Sequence, residues 1–146
     1  MFTETLKERD ALAAAPASKV AGTGAVNTGL VDMSLYHRVE FLVSLLSLAG
    51  DAQLDAKLQQ GNESDGSDMA DITGAAITQY DPAGTATIVN KNFTIEIRAD
   101  QLTKRYVRGV LTITTSNSTA AMIPLGTEAR HKPVSDNASA IQRVVV

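Results

Sequence analysis

The sequence predicts a mainly β protein, an antiparallel β-sandwich or barrel-like domain with an extended N-terminal arm. Three observations carry that expectation. Apolar residues alternate with period two along several runs between residues 36 and 125, turn-forming residues separate the runs, and no long stretch shows the 3.6-residue period of an amphipathic helix. At 146 residues the chain has the size of one ordinary domain, and with no cysteine its core is built without disulfides or thiolate-bound metal. Aromatic residues make up only 4% and tryptophan is absent, so Val, Ile, Leu and Ala must fill the interior.

Residues 1–30 differ in composition from the rest of the chain. Thr3 to Ala15 is expected to form a short helix stopped by Pro16, and Ala17 to Gly29 is a small-residue stretch punctuated by Gly22, Gly24 and Gly29. Such a segment carries too little apolar surface to fold alone, so it is expected to be an arm without a part in the core, mobile or laid along a neighbouring subunit. Residues 31–146 then form the β domain.

From Tyr36 the period becomes two. Val39, Phe41, Val43 and Leu45 share one face of a strand, and Leu54, Ala56 and Leu58 share one face of the next; the short Gly50-Asp51 link between them predicts an antiparallel hairpin. Gly61 to Asp71 is the most polar stretch and reads as a surface loop. Ile72 to Tyr80 is a strand, Asp81-Pro82-Ala83-Gly84 a turn, and Thr85 to Val89 a short extended edge. Phe93, Ile95 and Ile97 mark another strand, Ala99 to Lys104 has room for one helical turn, and Val107, Leu111 and Ile113 mark the strand after it. Ser116 to Thr119 is expected to turn and Ala120 to Leu125 to form a separate strand, with Pro124 demanding an edge or a bulge because it has no N–H to give a ladder. Gly126 is expected to release the chain into a polar connection, and Ile141 to Val146 is a β-branched closing strand or tail.

Charge and motif narrow the function. A net charge of −3 argues against a surface made to hold phosphate backbones, so direct nucleic-acid binding is not expected. The longest apolar run, Phe41 to Ala49, contains Ser44 and Ser47 and is about half the roughly 20 residues a spanning helix needs, so no membrane role is expected. The charged first ten residues do not read as a secretory signal. His37 and His131 lie far apart, and no Gly-x-Ser-x-Gly elbow accompanies them; no catalytic residue, cofactor or metal site is assigned. Gly22-Thr23-Gly24 lacks the strand, helix and lysine of a phosphate loop. Asn62 to Asp68 places oxygens at alternate positions around Gly66, but Thr73 stands where a calcium loop carries its closing glutamate. The dense basic cluster Lys104, Arg105 and Arg108, with Tyr106, reads as a set of ion-pair partners. Arg98, Arg105, Arg108 and Tyr106 are the candidate interface residues, with Arg98 and Arg108 expected on outward faces of neighbouring strands.

The runs Thr28-Gly29-Leu30-Val31-Asp32-Met33-Ser34-Leu35-Tyr36-His37-Arg38-Val39, Asp55-Ala56-Lys57-Leu58-Gln59 and Asp71-Ile72-Thr73-Gly74, followed by Ile97-Arg98-Ala99, Arg105-Tyr106-Val107-Arg108, Leu125-Gly126 and Pro133-Val134-Ser135-Asp136, resemble small structural proteins of tailed bacteriophages, similar to capsid decoration, or cement, proteins. The resemblance spans roughly residues 28–146. It implies a virion protein on the outer surface of the capsid that binds the major capsid protein and itself, as a homotrimer, and stabilises the phage head. A neck or tail component, or a carbohydrate- or ligand-binding β-sandwich displayed on the particle, are the alternatives it leaves.

Overall fold

Three long chain segments run side by side with a fourth. The computed structural model describes residues 10–81 and 87–131. The first segment comprises β1 (Ala11–Leu12), β2 (Ala17–Asn27) and β3 (Val31–Asp32); the second β4 (Tyr36–Leu48) and β5 (Gln53–Gly61); the third β6 (Ala70–Tyr80) and β7 (Ile88–Arg98). A short 3-10 turn, Ala99–Gln101, leads to the fourth, β8 (Tyr106–Ala129), 24 residues long.

β8 is the axis of the sheet. On one side β1, β2 and β3 pair with it in turn, from Ala11 opposite Gly126 to Asp32 opposite Tyr106. On the other side β4 pairs with its C-terminal half, Phe41 opposite Pro124, and β5 with its N-terminal half, Leu54 opposite Ile113. β7 then adds to β4 and β6 to β5, every pairing antiparallel. The spatial order of the segments is therefore first, fourth, second, third, and the fourth is folded across its middle so that two half-sheets face one another, Gly109 against Met122 and Phe41. The expected mainly β architecture, an antiparallel sheet closing toward a barrel, is what the chain adopts.

The corners have a local cause. In β4 the inward position steps from Leu45 to Leu48, with a register irregularity between Leu45 and Ser47, and in β8 the inward positions are odd-numbered through Ile113 and even-numbered from Ser118. An extra residue in a strand sharpens its twist and bends it, which is how a flat ribbon turns a corner. In β2 the register slips on both sides of Gly22, and Gly24 has φ +95, a conformation open to glycine. The buried Ser118 hydroxyl accepts the Ala49 N–H at 3.1 Å, tying the β8 corner to the β4–β5 corner.

The enclosed faces supply the core: Val39, Phe41, Val43 and Leu45 from β4, Leu54, Ala56 and Leu58 from β5, Val107, Leu111 and Ile113 from the start of β8 and Met122 from its end. Two glycines show how closely the layers meet. A Cβ on Gly109 would lie 2.5 Å from Met122 Sδ and 3.0 Å from Phe41 Cδ1, so residues from the two half-sheets interlock through that missing side chain. A Cβ on Gly126 would run into the ring of Tyr36, which lies flat over the glycine on the neighbouring strand.

Several sequence expectations are corrected by this topology. The described part of the arm, residues 10–30, lies along its own β8 as the flanking strand of the sheet, with Ala11, Ala14 and Ala17 buried in the core; small side chains suffice because backbone pairing holds it. Ala11–Leu12, expected within a helix, is a strand; residues 1–9 lie outside the described residues. Gly50-Asp51 is a corner and not a hairpin turn, since β4 and β5 pair with β8 and not with each other. The expected turn at Ser116 to Thr119 is a bend inside one continuous strand. Pro124 sits in the most central strand, yet its carbonyl accepts from Ala13 N–H at 3.0 Å, so its imide nitrogen faces the gap between β1 and β2. In an antiparallel pair a residue points both its groups to one partner, so the ladder loses a bond only where that flanking strand is already interrupted. Gly126 likewise stays within β8, and the expected closing strand Ile141 to Val146 lies outside the described residues, as does most of the turn at Asp81 to Gly84.

Candidate functional site

Folding the sheet in half brings the strand ends of both halves to one edge of the molecule. There the connection at residues 33–35 spans the two: Met33 N–H donates to Arg105 O beside the start of β8, and Leu35 O accepts from Arg130 N–H beyond its end. The loop at residues 62–69 and the connection at 99–105 join the same edge. All four candidate interface residues, Arg98, Arg105, Tyr106 and Arg108, fall on or next to it.

Three of them form one cluster. Arg105 grips Asp32 with two hydrogen bonds, Nε to Oδ1 at 3.0 Å and an Nη to Oδ2 at 2.6 Å, and its guanidinium stands 5.2 Å from the Tyr106 ring centre. That fork holds the Asp32 carboxyl down at about 2, chiefly through the Arg105 hydrogen bonds. Arg108 donates from Nε to Gln59 Oε1 at 2.9 Å, across the β8–β5 register. Beside them Lys104 meets Asp68 at 3.3 Å, and Gln60 Oε1 accepts the backbone N–H groups of Thr103 and Lys104 at 3.0 and 3.2 Å. Lys104 and Arg105 are thus paired with carboxylates of the same chain and Arg108 with a neutral amide, and together they clip three connections.

The acidic loop is organised by the same logic. Asp68 accepts N–H groups from Asn62 and Glu63 at 2.9 and 3.1 Å, and these backbone donors, with Lys104, hold its carboxyl below the usual range. Asp65 accepts from Ser67 N–H. Of the oxygens that resembled calcium ligands, those of Asp65 and Asp68 thus accept backbone N–H groups, and among the described residues no three His, Asp or Glu side chains gather at one point.

Arg98 stands apart. It ends β7, whereas Arg108 lies in the other half-sheet next to β5, so the two are not on neighbouring strands as expected. Arg98 instead lies directly opposite Arg38 of β4, and Glu96 directly opposite Glu40. The ion pairs therefore run diagonally: Arg38 to Glu96 at 3.2 Å, with Arg98 turning to Asp100 at 3.3 Å. Next to this pair the surface dips into an open hollow of about 420 Å³, lined by His37, Arg38, Arg98, Asp100, Glu128 and Arg130. Sequence reading missed Arg38 and Arg130 as members, because the register that sets Arg38 beside Arg98 joins residues 60 apart in the chain. His37 and His131, the imidazoles weighed for catalysis, are both exposed, His37 on the hollow.

A second open hollow, of about 390 Å³, lies on the outer face of the other half-sheet between Lys57, Ala76, Thr78 and Thr112. Among the described residues no helix is long and apolar enough to cross a membrane. Comparison with protein-family models and with curated proteins gave no match.

Proposed function

We propose that the protein is a virion structural component of a tailed bacteriophage, a capsid decoration protein that binds the major capsid protein and stabilises the head. The observation that supports this reading is where the resembling residues sit. Several of them hold the fold together: Thr28 Oγ1 accepts Gly109 N–H at 2.9 Å, Asp32 holds Arg105, and Tyr36 covers Gly126, while Asp71 accepts from Lys57 and Gln59 at the surface at 2.7 and 2.8 Å. A likeness carried by such residues is a likeness of the folded body, and a clipped, rigid β body suits a protein whose task is attachment. Repetition of one contact around a symmetric shell adds strength without any single large interface.

Mass spectrometry of purified virions, with heat challenge of particles from a deletion strain, tests the proposal. The protein is expected in the particle, and heads lacking it are expected to release DNA at lower temperature. Heads of undiminished stability that fail to join tails would move the protein to the neck or tail.

A further inference from the structure

The hollow at the end of β4 and β7 gathers three guanidinium groups from three separate elements: Arg38 from β4, Arg98 from β7, and Arg130 just beyond β8. Their engagement is uneven. Arg38 is held by Glu96 at 3.2 Å from outside the hollow, and its buried Nε has no hydrogen-bond partner, the Glu128 carboxylate standing 4.0 Å away. Arg98 has Asp100, two residues along the chain and exposed, a pairing of small worth. The guanidinium of Arg130 has no carboxylate partner among the described residues. Arg38 and Arg98 also sit directly opposite each other across the β4–β7 pair, where like charges repel.

Of the three arginines in the lining, Arg38 is paired with Glu96 and Arg98 with Asp100, which leaves Arg130 as the guanidinium without a carboxylate among the described residues, on a chain of net charge −3. That balance selects the ligand. A polyanion such as a nucleic-acid backbone would be repelled by Asp100, Glu128 and the chain as a whole, whereas a single carboxylate supplies the partner that Arg130 lacks, and the planar guanidinium fork matches its two oxygens. We infer that the hollow seats a single carboxylate presented by a partner protein, an aspartate or glutamate side chain received between Arg98 and Arg130. The hollow's own charges select that group, whether or not the protein belongs to a virion.

The test follows the arginine Nε–H resonances of the purified, ¹⁵N-labelled full chain during titration with a blocked Gly-Glu-Gly peptide, its Gly-Gln-Gly isostere, and inorganic phosphate. The glutamyl peptide is expected to shift Arg98 and Arg130 saturably while Arg105 and Arg108 stay in place, and the glutaminyl peptide to shift neither. Arg130→Gln should weaken binding by about threefold or more, and Glu128→Gln, which removes a resident competitor, should strengthen it by a similar factor. Both positions are exposed, and the backbone spectrum checks that each variant is folded. Equal binding of the two peptides, the absence of saturation, or affinity unchanged in both variants would overturn the proposal; phosphate binding more tightly than the glutamyl peptide would overturn the carboxylate assignment.

Discussion

Gly126→Ala adds one methyl group where β8 meets the Tyr36 ring of β4. The new Cβ would stand 2.6 Å from Tyr36 Cδ1 and 2.7 Å from Cζ, where carbon atoms rest at about 3.5–4.0 Å. The ring therefore has to withdraw by about 1 Å, and it cannot swing aside easily, being buried and attached to β4, which is paired on both edges. Overpacking of that kind costs about 3 kcal/mol at the upper end of its usual range. Alanine recovers about 0.5–1 kcal/mol because it loses less backbone freedom than glycine on entering a strand. The net loss is about 2 kcal/mol, which with a slope of about 2 kcal/mol/M moves the urea midpoint down by about 1 M. The same substitution in a Tyr36→Leu background should cost less than about 0.5 kcal/mol, because the obstructing ring is gone. A neutral Gly126→Ala, or an equal loss in both backgrounds, would refute the role given to the Tyr36 ring.

Asp32 has a carboxyl held at about 2 against an ordinary 3.8, so its contribution is present above about pH 4 and is lost as pH falls toward 2. Urea denaturation from pH 5 to 2 should show a shallower decline for Asp32→Asn than for the parent, with lower stability for the variant at neutral pH. Thr28→Val leaves the buried Gly109 N–H without its acceptor and should cost about 1–3 kcal/mol, while Thr28→Ser should restore most of it, both read by thermal or urea melts. Deleting residues 1–27 removes β1 and β2 and bares one edge of β8, so the truncated chain should lose its cooperative melt and aggregate in light scattering; a soluble product with the parent's melting temperature would return the segment to the status of a detached arm.

The strands were legible because their inward residues are large and alternate. Val39, Phe41 and Val43, or Leu54 and Leu58, declare a face whatever the topology, and all are buried. The corners were not, since a one-residue slip such as that between Leu45 and Leu48 looks like the end of a strand and not its bend. Residues 17–27 carried no pattern because alanine, serine and glycine bury little surface; their place is set by main-chain pairing with β8. At the candidate site, the pairing of Arg105 with Asp32 joins positions 73 apart, and the opposition of Arg98 to Arg38 depends on register. Side-chain chemistry announces that an arginine wants a partner, but only the fold decides which one it meets.

The axial position of β8 bears on how the protein is made. Neither half-sheet has a centre until residues 106–129 exist, because the segments from residue 11 to residue 61 find their main partner there. A ribosome that has released the first hundred residues has therefore produced strands that can form only the outer β4–β7 and β5–β6 pairs. Closure must wait for the axis and must then join positions up to 115 apart, Ala11 with Gly126, which places the chain among slow folders of high contact order, on the millisecond-to-second scale. Until that strand arrives, the nascent chain exposes unpaired edges and the apolar faces of Phe41 and Leu54, the surfaces through which incomplete chains aggregate.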